Sequence, residues 1–432
     1  MSIGKLNIQS VCSYFHIAST LILFCSIPFY YSRFTQYGMI LFFSSFVIDY
    51  LVTKRWREGF KWDKSRVVSL FLLIQIALLF IYGFFEADSR YLSTFYEYRT
   101  AFIGFSLVGL LGVTNKFKTR YFAYAAIVSL IPFFISIYNA LPSWFYNLQV
   151  FQHKLNVISY VRSQEICSHM TINLFLCVGM ILFSKVIAIS KYKIEKVFSI
   201  FMILAFYILV MLSEGRVGML NANIVLLFII LRFAIKKLKF FIPTIVVLLS
   251  SAIVLGLFMF SDNELTKDIK VFNKANPREY IWHEGVNQIL DAPIIGHGAS
   301  TNALQMKERL LNNKELCSIE KFLISYLKED HVYGMHPHNQ IMQNWQEYGI
   351  LGLFTILGLF LSLLIVSKGS LSLTLINLII FIQLQTEVID GGITTVGFCM
   401  YVYLILVLLK SDEMGKEKIS SLKWISRSPG NA

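Results

Sequence analysis

Residues 336–366 have the sequence HPHNQIMQNWQEYGILGLFTILGLFLSLLIV, in which a polar stretch leads directly into an apolar run. The run 347–366 is long enough to cross a hydrocarbon layer of about 30 Å as a helix. His336, His338 and Asn339 would then lie at one membrane surface, where two imidazoles and an amide are rarely needed to fill a core. This segment therefore predicts a membrane protein with a polar site at the membrane boundary.

The composition of the whole chain supports a membrane protein. Of its 432 residues 56% are hydrophobic and 15% charged, and the mean hydropathy is +0.61, which excludes a set of soluble domains. The apolar runs have helical length and lack the short alternation of a membrane β-barrel. We predict an all-α, polytopic integral membrane protein with about twelve transmembrane helices. The predicted spans are 12–31, 37–52, 67–86, 101–114, 121–140, 169–190, 197–213, 217–234, 239–260, 347–366, 371–389 and 393–409.

The spans divide the chain into two membrane parts, one large loop and a tail. The first part holds helices 1 to 9, the loop carries the polar motif, the second part holds helices 10 to 12, and the tail is basic. A loop of this length is usually functional, and it contains five of the eight histidines. Its pattern predicts helices over 278–290 and 303–312. In chain order, the four parts are residues 1–260, 261–346, 347–410 and 411–432.

The net charge of +13 is explained by topology. With the N-terminus inside, the predicted inner segments receive 24 of the 39 Lys and Arg residues but only seven of the 26 acidic ones. This is the positive-inside asymmetry of membrane proteins. We therefore predict that both termini are cytoplasmic and that the large loop lies on the opposite side of the membrane. The basic charge requires no nucleic-acid partner.

His338 is the first candidate for chemistry. Pro337 fits the first turn of a helix, so a helix that leads into the span is expected to begin here and to hold His338 at its start. A histidine can act as a base near neutral pH, because its unperturbed pKa is about 6.5. Two other interpretations stay open: the histidines bond loop carbonyls, or His336 and His338 bind zinc, although spacing places no third ligand.

Two arginines are candidates for binding an anion. Arg216 follows Gly215 in a tight outer turn and opens a span, and the free N–H groups of a helix start favour anions. Arg278 follows Pro277 at the start of a predicted loop helix. The alternatives are that Arg216 extends to lipid headgroups and that Arg278 pairs with Glu279 or Glu284, which would stabilise little.

Other polar residues carry weaker signals. Residues 292–298 form a predicted turn, with glycines for backbone geometry and with His297 as a remote candidate for catalysis. Glu387 and Asp390 lie near the outer end of the eleventh span, where ionisable groups are costly and are functional candidates by default; Glu387 is preferred. Cys167 and Cys317 are the two cysteines on the predicted outer side, and sequence alone leaves their pairing open.

Taken in order, these motifs resemble the O-antigen ligase and polymerase superfamily of membrane glycosyltransferases. The resemblance lies in Gly215-Arg216-x-Gly218, in Pro293-x-x-Gly296-x-Gly298 after an arginine-led helix, and in His338-Asn339 followed after nine residues by Gly349-x-x-Gly352. It covers about residues 200–410 with motifs and the N-terminal half by topology alone. Glu214 departs from the usual pattern, which has a small polar residue before the glycine, and its charge could compete with phosphate.

The resemblance implies a GT-C-like fold with a periplasmic cavity and no metal or other cofactor. The donor would be a glycan linked to undecaprenyl pyrophosphate, and the acceptor of a ligase would be lipid A–core. Arg216 and Arg278 would hold the pyrophosphate, and His338 would activate the acceptor hydroxyl. His336, Asn339 and Glu387 would be supporting residues.

Two other functions compete with an O-antigen ligase. A polymerase shares the motifs but often has two sizeable arginine-rich outer loops, whereas here the loop 141–168 has one Lys and one Arg. A polysaccharide transporter would require inverted repeats or helices broken near the middle of the membrane, and the sequence shows neither. We therefore favour the ligase.

Overall fold

The structure is a computed structural model, and the residues it describes form a helical protein. No β-strand occurs among them. Helices are expected in a membrane, because every backbone polar group must be satisfied within the protein. The described residues are 7–29, 33–58, 62–85, 99–114, 116–150, 169–213, 216–236, 277–313, 316, 324–325, 327–329, 335–386 and 393–411.

Fourteen α-helices lie within these ranges. In chain order they are α1 (Ile8–Ser26), α2 (Arg33–Val52), α3 (Lys64–Gly83), α4 (Ala101–Leu111), α5 (Thr119–Val128), α6 (Leu130–Val150), α7 (His169–Ile189), α8 (Lys193–Leu212), α9 (Arg216–Lys236), α10 (Pro277–Asp291), α11 (Ala299–Asn312), α12 (Gln340–Ser367), α13 (Leu371–Leu384) and α14 (Ile393–Lys410).

Within the described residues, seven helical stretches are long and apolar enough to cross a membrane, and four shorter apolar helices accompany them. Each predicted span overlaps in sequence with an observed helix, except 239–260, which falls outside the described residues. The span predicted at 121–140 corresponds to α5 and α6 together, and α6 continues through Pro142 to Val150, beyond the predicted end. A polytopic helical protein is thus supported, while the number of twelve crossings stays a prediction.

Helix α7 is the centre of the membrane part. It packs against α5, α8, α9 and α13, and 89% of its most apolar window is buried. Small residues allow close approach, as is usual between membrane helices: a Cβ on Gly179 would lie 2.3 Å from the Phe206 ring, and one on Gly218 would lie 2.3 Å from the Asn173 amide nitrogen. In contrast, α8 exposes large apolar side chains such as Phe201, as a lipid-facing helix does.

Charged residues join the helix ends that the charge pattern assigns to the inner side. Asp49 and Arg55, which lie at and after the end of α2, approach to 2.5 Å. Glu195 at the start of α8 pairs with Arg120 at 3.1 Å. The second pair brings the starts of α5 and α8 together, as the predicted sidedness requires, while the orientation of the helices in the membrane stays a prediction.

Candidate functional site

The histidine motif forms a tight turn that ends in a capped helix. The side-chain oxygen of Asn339 accepts a hydrogen bond from the Met342 N–H at 3.0 Å, so Asn339 is the N-cap of α12. His338 precedes it with a φ of +51°, in the left-handed region that few non-glycine residues adopt. The expectation that the helix begins at Pro337 is wrong: it begins at Gln340, because the Asn339 side chain satisfies the first free N–H groups better than a proline can.

The two histidines of this turn are in contact. Their ring centroids are 4.3 Å apart in an edge-to-face arrangement, and the backbone N–H of His338 donates to Nδ1 of His336 at 3.3 Å. Burial, followed by the charge of His338, lowers the pKa of His336 to about 3. His336 is therefore neutral at physiological pH and acts as an acceptor that holds the turn. His338 is also half-buried, and its role as a base stays a prediction.

Helix α10 contacts the same turn through Trp282. The indole N–H of Trp282 donates to the carbonyl oxygen of Pro337 at 2.9 Å. Arg278 lies four residues before Trp282, hence on the same face of the helix, and its side chain is half-buried. Arg278 therefore lies one helical turn before the contact with the histidine turn, and its predicted role stays a prediction.

The start of α9 approaches the turn from another side. Asn339 donates from Nδ2 to the carbonyl oxygen of Gln385, just after α13, at 3.1 Å. Two residues earlier, Gln383 accepts through Oε1 from Nδ2 of Asn221 at 3.4 Å. Asn221 lies five residues after Arg216, about 7.5 Å along the axis of α9. The backbone of Arg216 and the histidine turn thus flank the same end of α13, while the Arg216 side chain lies outside the described residues.

Several predictions fall on residues outside the described ranges. These are Glu387 and Asp390, which follow Gln385 along the chain, and the possible pair of Cys167 and Cys317. Their assigned roles stay predictions. Among the described residues, no three His, Cys, Asp or Glu side chains come together as a metal site would require, so metal independence also stays a prediction.

The glycine motif at Gly296 packs against the one at Gly349. This contact accounts for the nine-residue spacing between Asn339 and Gly349. Helix α12 breaks at Tyr348–Gly349, where Gly349 has a φ of +57°. A Cβ on Gly349 would lie 2.1 Å from the carbonyl oxygen of Ile294, and one on Gly296 would lie 2.4 Å from the nitrogen of Gly349. The turn after α10 therefore packs backbone to backbone against the break.

Backbone hydrogen bonds close this contact. His297 and Gly298 donate to the carbonyls of Gln346 and Glu347, both at 2.8 Å. His297, the remote candidate for catalysis, has a structural contact: its Nε2 lies 2.9 Å from the carbonyl oxygen of Gln288. The prediction that glycines in 292–298 serve backbone geometry is confirmed: Gly296 and Gly298 have φ angles of +79° and +81°.

A buried ion pair that the sequence did not predict lies about two turns of α12 after Asn339. Arg99, just before α4, contacts Glu347 through two hydrogen bonds of 3.0 Å, and both side chains are 1% exposed. Arg99 also donates to the hydroxyl of Tyr348 at 2.5 Å, and Gln343 donates to Glu347 at 2.8 Å. The available signal was an acid at the first position of an apolar span, where a charge requires a partner.

Comparisons with known proteins match part of this chain. Residues 199–357 match the family described as O-antigen ligase. Proteins of Rickettsia conorii, Rickettsia typhi and Rickettsia felis, each named "Putative polysaccharide ligase", are 34%, 28% and 37% identical over 84, 148 and 84 residues, or 19%, 34% and 19% of this chain.

The matches span about a third or less of the relatives' own length, at 18%, 34% and 18%. The matched region 199–357 includes the start of α9, the start of α10, the histidine turn and the broken helix α12. The predicted resemblance to the O-antigen ligase family is therefore confirmed over residues 199–357.

Proposed function

We propose that this protein is an O-antigen ligase that transfers a polysaccharide from undecaprenyl pyrophosphate to lipid A–core on the periplasmic face of the inner membrane. The observation that carries the proposal is the convergence of three motifs on one layer of helix ends. The starts of α9 and α10 and the His338 turn come from distant parts of the chain, yet hydrogen bonds through Trp282, Asn221 and Asn339 tie them to one place.

The chemistry requires a base and a site for a leaving anion. In the proposed reaction, the oxygen of an acceptor sugar hydroxyl attacks the anomeric carbon of the donor glycan. The bond from that carbon to the pyrophosphate oxygen breaks, and the hydroxyl proton passes to His338. Undecaprenyl pyrophosphate leaves with the electron pair, and the anomeric configuration inverts.

The roles of the arginines follow from charge. Negative charge develops on the pyrophosphate as the bond breaks, and fixed positive groups aimed at such charge are a large source of catalysis. A guanidinium suits phosphate because two of its N–H groups bind two oxygens at once. Arg278 on α10 and Arg216 at the N-terminus of α9 would approach the leaving group from two sides, with the free N–H groups of α9 adding to the attraction.

The supporting residues would keep His338 in place. Asn339 fixes the end of the turn through the cap of α12 and its bond to Gln385. His336, held neutral, accepts the backbone N–H of His338. Because neither group needs to change protonation, the imidazole of His338 alone would take the proton.

Gel analysis of lipopolysaccharide from a strain that lacks the gene tests the function. A ligase predicts the loss of all long chains and an accumulation of lipid-linked polymer. A polymerase predicts lipid A–core that carries a single repeat unit. Complementation with wild type and with His338→Ala, at matched protein levels in the membrane, separates loss of the reaction from loss of the protein.

A further inference from the structure

An apolar surface lies at the far end of α10 from Arg278. Val286, Leu290, Ile294 and Ile295 are 45%, 69%, 70% and 69% exposed. The first three follow one another at intervals of four residues, and Ile295 adjoins them in the turn after the helix. Four large aliphatic side chains in one exposed patch mark an interaction site. We call these four side chains the apolar foot.

Hydrogen bonds fix the foot against the beginning of a membrane span. The N–H of Ile350 donates to the carbonyl oxygen of Ile294 at 3.2 Å, and the indole of Trp345 donates to that of Pro293 at 3.0 Å. Ile350 opens the apolar part of α12, where Leu351 and Phe354 are 55% and 63% exposed, as lipid-facing residues of a span are. The foot is therefore continuous with a surface that faces lipid.

A second span ends at the same place. The hydroxyl of Tyr82, near the end of α3, donates to the carbonyl oxygen of Ile295 at 2.5 Å. The next residues after α3, Phe84 and Phe85, are 86% and 85% exposed. Aromatic residues are enriched where spans meet the membrane surface, so two spans place the foot at the same depth.

The exposed face of α10 changes in polarity along its length. On the face that carries the exposed, polar Glu279 and His283, the side chains become aliphatic at Val286 and Leu290, while the exposed Asp291 beside them pairs with Arg309. A helix parallel to the membrane surface would show one polarity throughout. The gradient fits a slanted helix whose start is in water and whose end enters the membrane.

We infer that the apolar foot inserts into the outer-side leaflet of the bilayer, at the boundary between headgroups and acyl chains. Amphipathic segments of this kind enter to a depth of about 5–10 Å. The occupant of the surface is lipid, because the foot joins the lipid-facing face of α12 without a break. The foot anchors the lower end of α10 and thus sets the height of the Trp282–Pro337 contact, and with it that of the histidine turn, above the acyl chains.

Nitroxide accessibility in liposomes tests this inference directly. The label is attached to p-acetylphenylalanine, which leaves the native cysteines untouched, at Leu290, Ile294, His283 or Phe354 in separate full-length variants. The liposomes contain phosphatidylethanolamine and phosphatidylglycerol. Oxygen partitions into lipid and nickel-EDDA stays in water, so the ratio of their effects reports the surroundings of the label. His283 is the matched control, exposed on the same face of α10 two turns before Leu290.

Labels at Leu290 and Ile294 should behave like the label at Phe354, with an oxygen-to-nickel ratio several-fold above that of His283. A ratio equal to that of His283 would place the foot in water and overturn the inference. Protection from both reagents would mean that protein covers the foot, which also overturns it. The labelled side chains are exposed, so the variants lose no packing contact, and elution as monodisperse protein checks folding. The readout is independent of glycosyl transfer, so it can fail while the proposed function stands.

Discussion

Arg99→Ala should destabilise the protein far more than the loss of an ordinary ion pair. Arg99 and Glu347 are both 1% exposed, so water cannot replace either partner. The substitution removes two hydrogen bonds of 3.0 Å to the carboxylate and a third to Tyr348. Glu347 would keep its bond from Gln343, but its charge would be buried without compensation.

Two estimates of the magnitude agree. Removing one partner of a buried ion pair costs about 3–5 kcal/mol, and two hydrogen bonds to a charged group are worth about 3–6 kcal/mol together. At roughly 2 °C per kcal/mol for a large chain, the midpoint of thermal unfolding should fall by about 5–10 °C. Replacement of both residues by Met should restore most of this loss, because a buried pair exchanged for apolar side chains of similar volume is often neutral.

The assay is thermal unfolding of purified protein in detergent, followed by tryptophan fluorescence, for Arg99→Ala, Glu347→Gln, Arg99→Met with Glu347→Met, and a control. The control is Arg309→Ala, which breaks the pair of Arg309 with Asp291; these side chains are 31% and 52% exposed. An exposed pair contributes about 0–1 kcal/mol, so this midpoint should scarcely move. If Arg99→Ala and Arg309→Ala have equal midpoints, the reasoning from burial is refuted.

Three further predictions concern the proposed reaction. His338→Ala should reduce the transfer rate by about 10²–10⁴-fold, the usual contribution of a general base, and His336→Ala should reduce it less. The rates are measured with a defined donor and acceptor at matched protein levels. Similar rates for the two variants would remove the base assignment. Arg216→Lys should lose most activity, because an ammonium cannot bind two phosphate oxygens as a guanidinium does, and losses at Arg216 and Arg278 should be non-additive in a double-mutant cycle if both bind one leaving group. Purified protein should transfer glycan in EDTA without ATP, and a strict requirement for either would contradict the mechanism.

Hydropathy predicted the membrane helices because lipid requires apolar surface wherever a helix faces it. The polar beginning of α12 was assigned to the loop, since residues 340–346 are rich in amides. In the structure, those amides are buried and find partners far along the chain: Asn344 donates to Gln75 at 2.8 Å, and Gln346 donates to the carbonyl oxygen of Gly285 at 2.9 Å. A hydropathy window counts such residues only as polar, because the hydrogen-bond partners that allow their burial lie outside the window.

The same limit explains which parts of the site were predicted. His338 and Asn339 are adjacent, and their motif has a fixed distance to Gly349, so one segment of sequence is enough to identify them. The pair of Arg99 and Glu347 joins residues 248 positions apart, and each alone resembles an ordinary boundary charge. Contacts of that separation follow from the packing of α3, α4 and α12, which no local pattern specifies.

The number of residues between Asn339 and Gly349 fixes the distance between the histidine turn and the break in α12. Residues 340–347 form the first part of α12, and eight residues of helix extend over about 12 Å. One end is fixed at Asn339 by the helix cap, and the other by the contact of Gly349 with Ile294, where no side chain larger than hydrogen fits. An insertion of one residue between them would turn the histidine by about 100° relative to the break. The fixed spacing therefore holds His338 at one height and one direction above the start of the membrane span, which a base for a membrane-bound donor requires.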